Sequence, residues 1–139
     1  LFVINKKTRF KKMIKNFLII NFIGNNDSIG LRINNNFFIK KIQTKIVNNE
    51  LLVCNILDFL EQYNVNIDKN YSIIVNNGPG SFSATRISLA VAKGIILAKG
   101  IKLYGYKNSD LSEFNLKNIE FLIKNKLVEN KLIKPLYIS

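Results

Sequence analysis

The stretch NNGPGSFSATRISLAVAKG, residues 76–94, joins an apolar segment to a helix-like one and carries the most distinctive pattern in the chain. Two glycines flank Pro79, which is typical of a sharp turn because glycine tolerates positive φ and proline fixes its own φ. Ser81 or Ser83 can cap a helix that follows. Such a helix start offers free backbone N–H groups, so the pattern raises the hypothesis of a phosphate-binding loop.

The established phosphate-binding signatures are incomplete in this stretch. The pattern G-x-x-x-x-G-K-[ST] is absent, and G-x-G-x-x-G fails at its last position, which is Ser83. Three strand-like segments precede the strand that leads into the turn, and no acidic residue ends the strand after the helix. A dinucleotide site is therefore disfavoured, while a small basic domain that binds phosphate or RNA through the GPGS turn stays open as an alternative function.

The helix-like segment 83–99 contains two rows of small residues. The rows, each with a spacing of four, are Ala84, Ser88 and Ala92, and Ala90, Gly94 and Ala98. Residues four apart share a helix face, so the two rows allow neighbours to approach closely on two sides. A mid-helix glycine costs about 1 kcal/mol relative to alanine, and close packing would explain it. The pattern favours a helix packed on its own sheet and on a second protein over one enclosed by its own core.

Hydrophobic periodicity predicts the remaining elements. Strands are expected at 17–23, 28–33, 37–42, 71–77 and 101–106, and helices at 49–63, 83–99 and 116–134, with PLYIS as an extended end. Short turns between the first three strands predict an antiparallel meander, and the continuous apolar run at 71–77 is typical of a buried parallel strand. The order βββαβαβ predicts an α/β domain with a mixed sheet, followed by a short helical segment.

The charge of the chain has two explanations. Its 139 residues carry a formal charge of +12, which suggests nucleic acid or an anionic surface as a partner. The lysines are nevertheless scattered, as an AT-rich coding sequence would also produce. Residues 1–12 hold five basic residues and no acid, and we interpret them as an over-extended start or a loose basic arm before Met13.

The chain offers few groups for catalysis. It contains no His, and its nine acidic residues form no cluster with the spacing of metal ligands. Asp58 and Glu61 are expected on a solvated helix face, and no G-x-S-x-G elbow surrounds Ser81. We therefore expect neither a catalytic residue nor a metal site.

The single cysteine and the apolar segments indicate the compartment. Cys54 excludes an internal disulfide framework and falls in the apolar pattern of the helix 49–63, so it is interpreted as an inert core residue. No apolar stretch approaches the length of a membrane span. A cytoplasmic protein without a membrane partner is expected.

Residues 78–94 resemble the hallmark G-P-G-S-F-T-G-L-R-I-G-L-A-x-A-K-G of the TsaB family. The matching residues are Gly78, Pro79, Gly80, Ser81, Phe82, Arg86, Ile87, Leu89, Ala90, Ala92, Lys93 and Gly94. NFLIINFIGNNDSIGL resembles the opening strand-turn-strand of the family, IKLYGYKNSDL resembles its I-P-L-x-G-V-S-S-L, and PLYIS resembles its P-x-Y-L-R. The resemblance covers about residues 17–111 and the terminus, and the central motif carries most of its weight.

The resemblance implies a non-catalytic subunit of the bacterial complex that makes threonylcarbamoyladenosine in tRNA. Its fold would be a single actin-like ATPase (ribonuclease-H-like) lobe at 13–111, with 112–139 as a reduced remnant of a second lobe. The helix 83–99 would dock on the catalytic paralogue TsaD, which modifies N6 of the adenosine beside the anticodon of ANN-decoding tRNAs. The interface residues would be Arg86, Ala90, Val91, Lys93, Gly94 and Ala98.

The resemblance also implies the cofactors and further partners. ATP and metal would bind at the partner subunits and not on this chain, and a TsaE-like ATPase would join the complex. Contact with tRNA would be indirect, although Arg86 and Lys93 could face protein, tRNA phosphate or solvent. A homodimer of the free chain through the same helix stays open.

Two features depart from the family pattern. The first strand of the family ends in Asp-Thr-Ser, where this chain has Asn21, Phe22 and Ile23. In catalytic relatives the Asp region faces nucleotide phosphate and metal, a role for which an amide and two apolar side chains are unsuited. Only residues 115–134 separate SDLSEF from PLYIS, whereas family members usually have a second lobe of similar size there. One lobe leaves no cleft to close around a nucleotide.

Overall fold

A mixed sheet of five strands forms the centre of the computed structural model, which describes residues 14–43 and 49–130. The strands are β1 (Asn16–Asn21), β2 (Ser28–Ile33), β3 (Asn36–Lys41), β4 (Tyr71–Asn76) and β5 (Lys102–Tyr106). The helices are α1 (Asn49–Gln62), α2 (Phe82–Lys99) and α3 (Leu116–Lys124). The strand order is β3-β2-β1-β4-β5, with β1 antiparallel to β2 and parallel to β4. The predicted α/β class with a mixed sheet is confirmed.

The predicted meander forms because both of its turns have suitable residues. Asn34 and Asn35 adopt positive φ values of 48° and 72° between β2 and β3, which suits a tight hairpin. In the turn after β1, the Asp27 carboxylate accepts hydrogen bonds from the N–H groups of Ile23 at 2.9 Å and Gly24 at 3.0 Å. These contacts set the antiparallel register of the first three strands.

Alternation along β1 divides the core between the two faces of the sheet. Leu18 and Ile20 point to the face covered by α1 and α2, whereas Phe17 and Ile19 point to the face covered by α3. All four side chains are buried. The central strand is therefore apolar along its length because both of its sides are covered.

Helix α3 packs on the second face of this same sheet. Its buried residues Ile119 and Leu122 belong to one cluster with Ile74 of β4. Arg32 of β2 forms an ion pair of 3.2 Å with Glu120 of α3. The predicted division of the chain into 13–111 and 112–139 remains a prediction, but the helix of the second segment packs on the sheet of the first.

The predicted helix 116–134 is too long. The helix ends at Lys124, and Lys126 has a positive φ of 56°. The chain then runs beside β5, where Gly105 and Glu129 exchange two backbone hydrogen bonds of 2.7 and 2.9 Å. Leu127 packs half-buried against the core on the second face from this non-helical segment, so its apolar side chain reflects packing and not a helical period. Residues 131–139, including PLYIS, and residues 1–13 lie outside the described chain.

The prediction that Cys54 is a core residue is wrong. Cys54 is exposed on α1. The buried stripe of α1 is formed by Leu52, Ile56 and Phe59. Two residues correspond to roughly 200° around a helix, so Cys54 lies nearly opposite Leu52.

Candidate functional site on helices α1 and α2

The turn between β4 and α2 is fixed by the loops that follow β1 and β5. Ser81 donates its backbone N–H to the carbonyl of Ile23 at 2.9 Å, and Asn108 donates its backbone N–H to the carbonyl of Gly78 at 2.8 Å. Gly78 has a φ of 96°, and its bond to Pro79 is cis. The predicted sharp turn is thus present, and it is anchored on two neighbouring loops of the chain.

Position 80 requires glycine because the loop after β1 lies very close to its backbone. A Cβ at this position would lie 2.6 Å from the Cβ of Ile23 and 2.9 Å from its carbonyl oxygen. The methyl group of Thr85 would be 3.0 Å away. The glycine therefore admits the loop after β1, which is a structural reason for the motif that involves no ligand.

The polar groups around the turn are largely satisfied internally. The N–H of Gly78 donates to Oδ1 of Asn76 at 2.9 Å, and the N–H of Ala84 donates to Oγ of Ser81 at 3.1 Å. Ser81, and not Ser83, is the N-cap of α2. Because these N–H groups already have partners, the geometry argues against the hypothesis of a phosphate-binding loop.

A network of neutral amides joins the strand ends behind the turn. Nδ2 of Asn76 donates to Oδ1 of Asn21 at 2.7 Å and to Oδ1 of Asn108 at 3.0 Å. Asn76 is only 1% exposed, and Phe22 is buried in the core. Within residues 14–43 and 49–130 there is no group of three His, Cys, Asp or Glu residues that could hold a metal ion. The amides at these strand ends are therefore bonded to one another.

Tyr106 lies beside this network at the end of β5. Burial raises the pKa of its hydroxyl well above the usual range, and the nearby Asn76 amide offsets this only in part. Burial also raises the pKa of Tyr104 on the same strand. Both hydroxyls are therefore neutral at physiological pH and are unsuited to act as bases.

The two rows of small residues on α2 have different surroundings. Ala84, Ser88 and Ala92 are fully buried against the sheet. The second row, Ala90, Gly94 and Ala98, is exposed. A Cβ added to Gly94 would meet no atom within 4 Å, so packing inside the chain does not explain this glycine.

A groove of about 680 Å³ runs between α1 and α2 beside the exposed row. Its helical apolar lining is Val53, Ile56, Leu57 and Leu60 of α1 with Val91, Gly94, Ile95 and Ala98 of α2. Glu61 and Lys99 contribute polar lining. Three of the six predicted interface residues, Val91, Gly94 and Ala98, thus lie in one apolar groove.

The other three predicted interface residues lie outside that groove. Arg86 and Ala90 line a shallow depression near the start of α2 together with Phe82, which is 57% exposed. The guanidinium of Arg86 lies 4.8 Å from the centroid of the Phe82 ring, a cation–π contact. Lys93 is half-buried and lines neither surface.

The contribution of α1 was not predicted from the sequence. Val53 and Leu57 are 37% and 59% exposed, and Leu97 of α2 is 85% exposed. Val53 and Leu57 are apolar, four residues apart and outside the buried stripe of α1, which was the available signal. We call the groove together with exposed Val53, Leu57, Ala90 and Leu97 the α1/α2 face. Exposed apolar surface of this kind is typical of a protein-binding site.

Two solved structures share this fold. YeaZ from Pseudomonas aeruginosa matches with a TM-score of 0.59 and 20% identity over 71% of this chain and 46% of its own. An uncharacterized protein with similarity to peptidase YEAZ from Pseudomonas aeruginosa matches with a TM-score of 0.58 and 19% identity, over 68% of this chain and 44% of its own. The chain spans less than half the length of either structure. No protein-family model and no curated protein matches it.

Proposed function

We propose that this chain is a TsaB-like accessory subunit that docks through the α1/α2 face on a TsaD-like catalytic paralogue. The paralogue would threonylcarbamoylate N6 of the adenosine beside the anticodon of ANN-decoding tRNAs. The observation that carries the proposal is the exposed row Ala90, Gly94 and Ala98 beside an apolar groove, on the helix that bears the family motif. YeaZ is TsaB under another name, so the fold likeness supports the same family.

The fold assignment within this proposal is a single actin-like ATPase lobe. The sheet order β3-β2-β1-β4-β5, with helices on both faces, supports it. The proposed lobe occupies 13–111, and 112–139 is proposed as the remnant of a second lobe. In the described part of that remnant, α3 covers the sheet of the first lobe.

The proposed role involves no chemistry on this chain. One of the similar structures is described by its likeness to a peptidase, but this chain contains no His, and the Ser81 hydroxyl accepts a hydrogen bond as a helix cap. Asn21 occupies the strand end where catalytic relatives have a carboxylate, and its side-chain oxygen accepts a hydrogen bond from the Asn76 amide. ATP and metal are proposed to bind at the partner subunits, with a TsaE-like ATPase joining the complex.

The proposal also implies the compartment in which the protein acts and its contact with tRNA. Among residues 14–43 and 49–130, no helix is both long and apolar enough to cross a membrane. We place the complex in the cytoplasm, where its tRNA substrate is modified, and this chain would contact tRNA only indirectly. The alternative, a basic phosphate- or RNA-binding domain, is weakened because the N–H groups of Gly78, Ser81 and Ala84 already have partners within the chain.

Affinity purification of the tagged chain from its native cell, followed by mass spectrometry, tests the proposal. We expect the TsaD-like paralogue as the main stoichiometric partner. Recovery of RNA without the paralogue, through a salt-sensitive affinity lost on changing Arg86 and Lys93, would instead establish the alternative.

A further inference from the structure

Strand β3 lies at one end of the sheet, and within residues 14–43 and 49–130 no strand pairs with its outer edge. The other end of the sheet differs, because the segment after α3 runs beside β5 and Gly105 and Glu129 exchange two backbone hydrogen bonds there. An unpaired edge presents a row of backbone N–H and C=O groups to which another extended segment can add. In the described part of the chain, such a row is therefore present along β3.

The register shows which residues of β3 point their backbone groups outward. The N–H of Ile42 donates to the carbonyl of Asp27 at 2.9 Å, directly beyond the last pair of the β2–β3 ladder. In an antiparallel ladder, pairs that exchange hydrogen bonds alternate with pairs that do not. The even-numbered residues of β3 therefore bond to β2, and the odd-numbered ones point their N–H and C=O groups to the open side. These outward residues are Phe37, Ile39 and Lys41.

Ring contacts on both faces of the sheet hold β3 in place. Phe38 stacks on Tyr63 of α1 with ring centroids 4.0 Å apart. On the second face, the ring of Phe37 lies 6.2 Å from that of Phe17 and 6.4 Å from that of Phe114, measured between centroids. Every residue of β3 pairs with β2 in an unbroken register. The edge is thus already extended and fixed, so little conformational freedom of β3 is lost when a further strand adds to it.

The side chains along this edge are apolar and basic. Ile39, in the middle of the strand, is 45% exposed. Lys40 and Lys41 follow it on opposite faces of the sheet, and β3 contains no acidic residue. No ion pair among the described residues involves either lysine. A segment that binds beside β3 therefore meets one apolar and two cationic side chains in succession.

We propose that the β3 edge binds an extended segment of another protein in which two acidic residues precede an apolar one. Added antiparallel to β3, this segment places its apolar residue beside Ile39 and its carboxylates beside Lys40 and Lys41. A second copy of β3 is a poorer occupant of the edge, because it would bring two more lysines and no acid to the ladder. The lysines thus oppose pairing with a like strand and attract an acidic one.

This interaction is separate from the proposed docking of the paralogue. No residue of β3 lines the groove of the α1/α2 face. The edge interaction depends on backbone groups and lysines of the sheet, whereas the docking depends on apolar side chains of two helices. A partner at the edge and the paralogue would therefore use different residues of the chain.

Peptide binding to the full chain tests the edge interaction. The probe is the capped, fluorescein-labelled peptide Thr-Glu-Glu-Val-Thr-Val-Thr, in which Glu-Glu-Val has the proposed pattern. In fluorescence anisotropy we expect the chain to bind it at least about tenfold more tightly than Thr-Lys-Lys-Val-Thr-Val-Thr. The preference should reverse in Lys40→Glu/Lys41→Glu, because the edge is then acidic. The matched control Lys117→Glu/Lys124→Glu on α3 changes the net charge equally and should bind the acidic peptide like the unmodified chain.

Methylation of the peptide backbone separates strand addition from simple charge attraction. In the antiparallel arrangement, the N–H of the first valine of the peptide faces β3 opposite Ile39, whereas the N–H of the next threonine faces away. N-methylation of that valine should weaken binding at least about tenfold. N-methylation of the threonine should leave the affinity nearly unchanged, because its N–H has no partner on β3.

Three results would overturn the edge interaction. They are no binding of the acidic peptide by the folded chain up to about 1 mM, unchanged binding by folded Lys40→Glu/Lys41→Glu, and equal effects of the two N-methyl groups. Circular dichroism shows whether the charge-reversal variant is folded, and the N-methyl pair decides alone if it is not. Failure of the peptide with normal capture of the paralogue would overturn only this inference, whereas peptide binding without that capture would overturn only the proposed function.

Discussion

The side-chain amide of Asn76 donates a hydrogen bond of 2.7 Å to Oδ1 of Asn21 and so joins the ends of two adjacent parallel strands. The same amide group reaches Asn108 beyond β5, and its oxygen accepts from the N–H of Gly78. One buried side chain thus connects β1, β4, the loop after β5 and the motif turn. The junction thus links the central strands to the turn that precedes α2.

Replacing this amide should destabilise the fold. Asn76→Ala removes three hydrogen bonds and leaves their buried partners unsatisfied, so we expect the free energy of unfolding to fall by about 3 kcal/mol, about 1 for each bond. Urea denaturation followed by circular dichroism measures the change. Asn70→Ala, at an exposed position, is the control and should stay within about 0.5 kcal/mol of the unmodified chain. Equal effects of the two substitutions would show that the network contributes nothing.

Two glycines of the motif should respond to alanine in opposite directions. Gly80→Ala places a Cβ 2.6 Å from that of Ile23, and such overpacking should cost about 1–3 kcal/mol of stability. Gly94→Ala meets no atom within 4 Å and improves helix propensity, so it should stabilise the isolated chain by about 1 kcal/mol. Thermal unfolding of the two variants and the unmodified chain measures both changes in stability. A loss of stability in Gly94→Ala would place that glycine inside the fold and not on its surface.

The helix cap assigns different roles to two neighbouring serines. Ser81→Ala removes the acceptor for the N–H of Ala84 and should lower stability by about 1 kcal/mol. Ser83→Ala changes an exposed residue in the first turn and should have little effect. Chemical denaturation of both variants measures their free energies of unfolding and so shows which serine caps α2. A larger loss in Ser83→Ala would reassign the cap.

Tyr106 should make the stability of the fold sensitive to alkaline pH. Burial raises the pKa of its hydroxyl in the folded chain above the unfolded value of about 10. Its contribution is therefore complete below pH about 10 and is lost as the pH rises further, because only the unfolded chain can release the proton readily. Tyr106→Phe should flatten this decline in urea denaturation measured from pH 8 to 11. An unchanged slope would mean that the hydroxyl ionises equally in both states.

Local sequence patterns were sufficient to locate the elements that pack the sheet. The strands and the first two helices were predicted to within two residues at each end, because their apolar periodicity follows from burial on one or two faces. The end of α3 differs from the prediction because Leu127 packs half-buried against the core from a non-helical segment beside β5. Cys54 was misplaced because its apolar character was taken as a sign of burial.

The site was predictable only in part. The exposed row on α2 could be identified from its spacing of four, since residues at that spacing share one face. The groove could not be predicted from the sequence, because it forms only when α1 and α2 lie side by side on the same face of the sheet. The junction of Asn21, Asn76 and Asn108 joins residues far apart in sequence, and no local pattern marks it.

Docking of the paralogue on the α1/α2 face is tested by co-purification of the Gly94→Leu variant. Gly94 has open space around it, so leucine should leave the isolated chain folded while its bulk separates α2 from a closely packed partner helix. Lys117→Leu, on the exposed side of α3, adds the same side chain away from the face. We predict that Gly94→Leu loses the TsaD-like paralogue in a pull-down while Lys117→Leu retains it. Normal capture of the paralogue by folded Gly94→Leu would contradict the proposed interface.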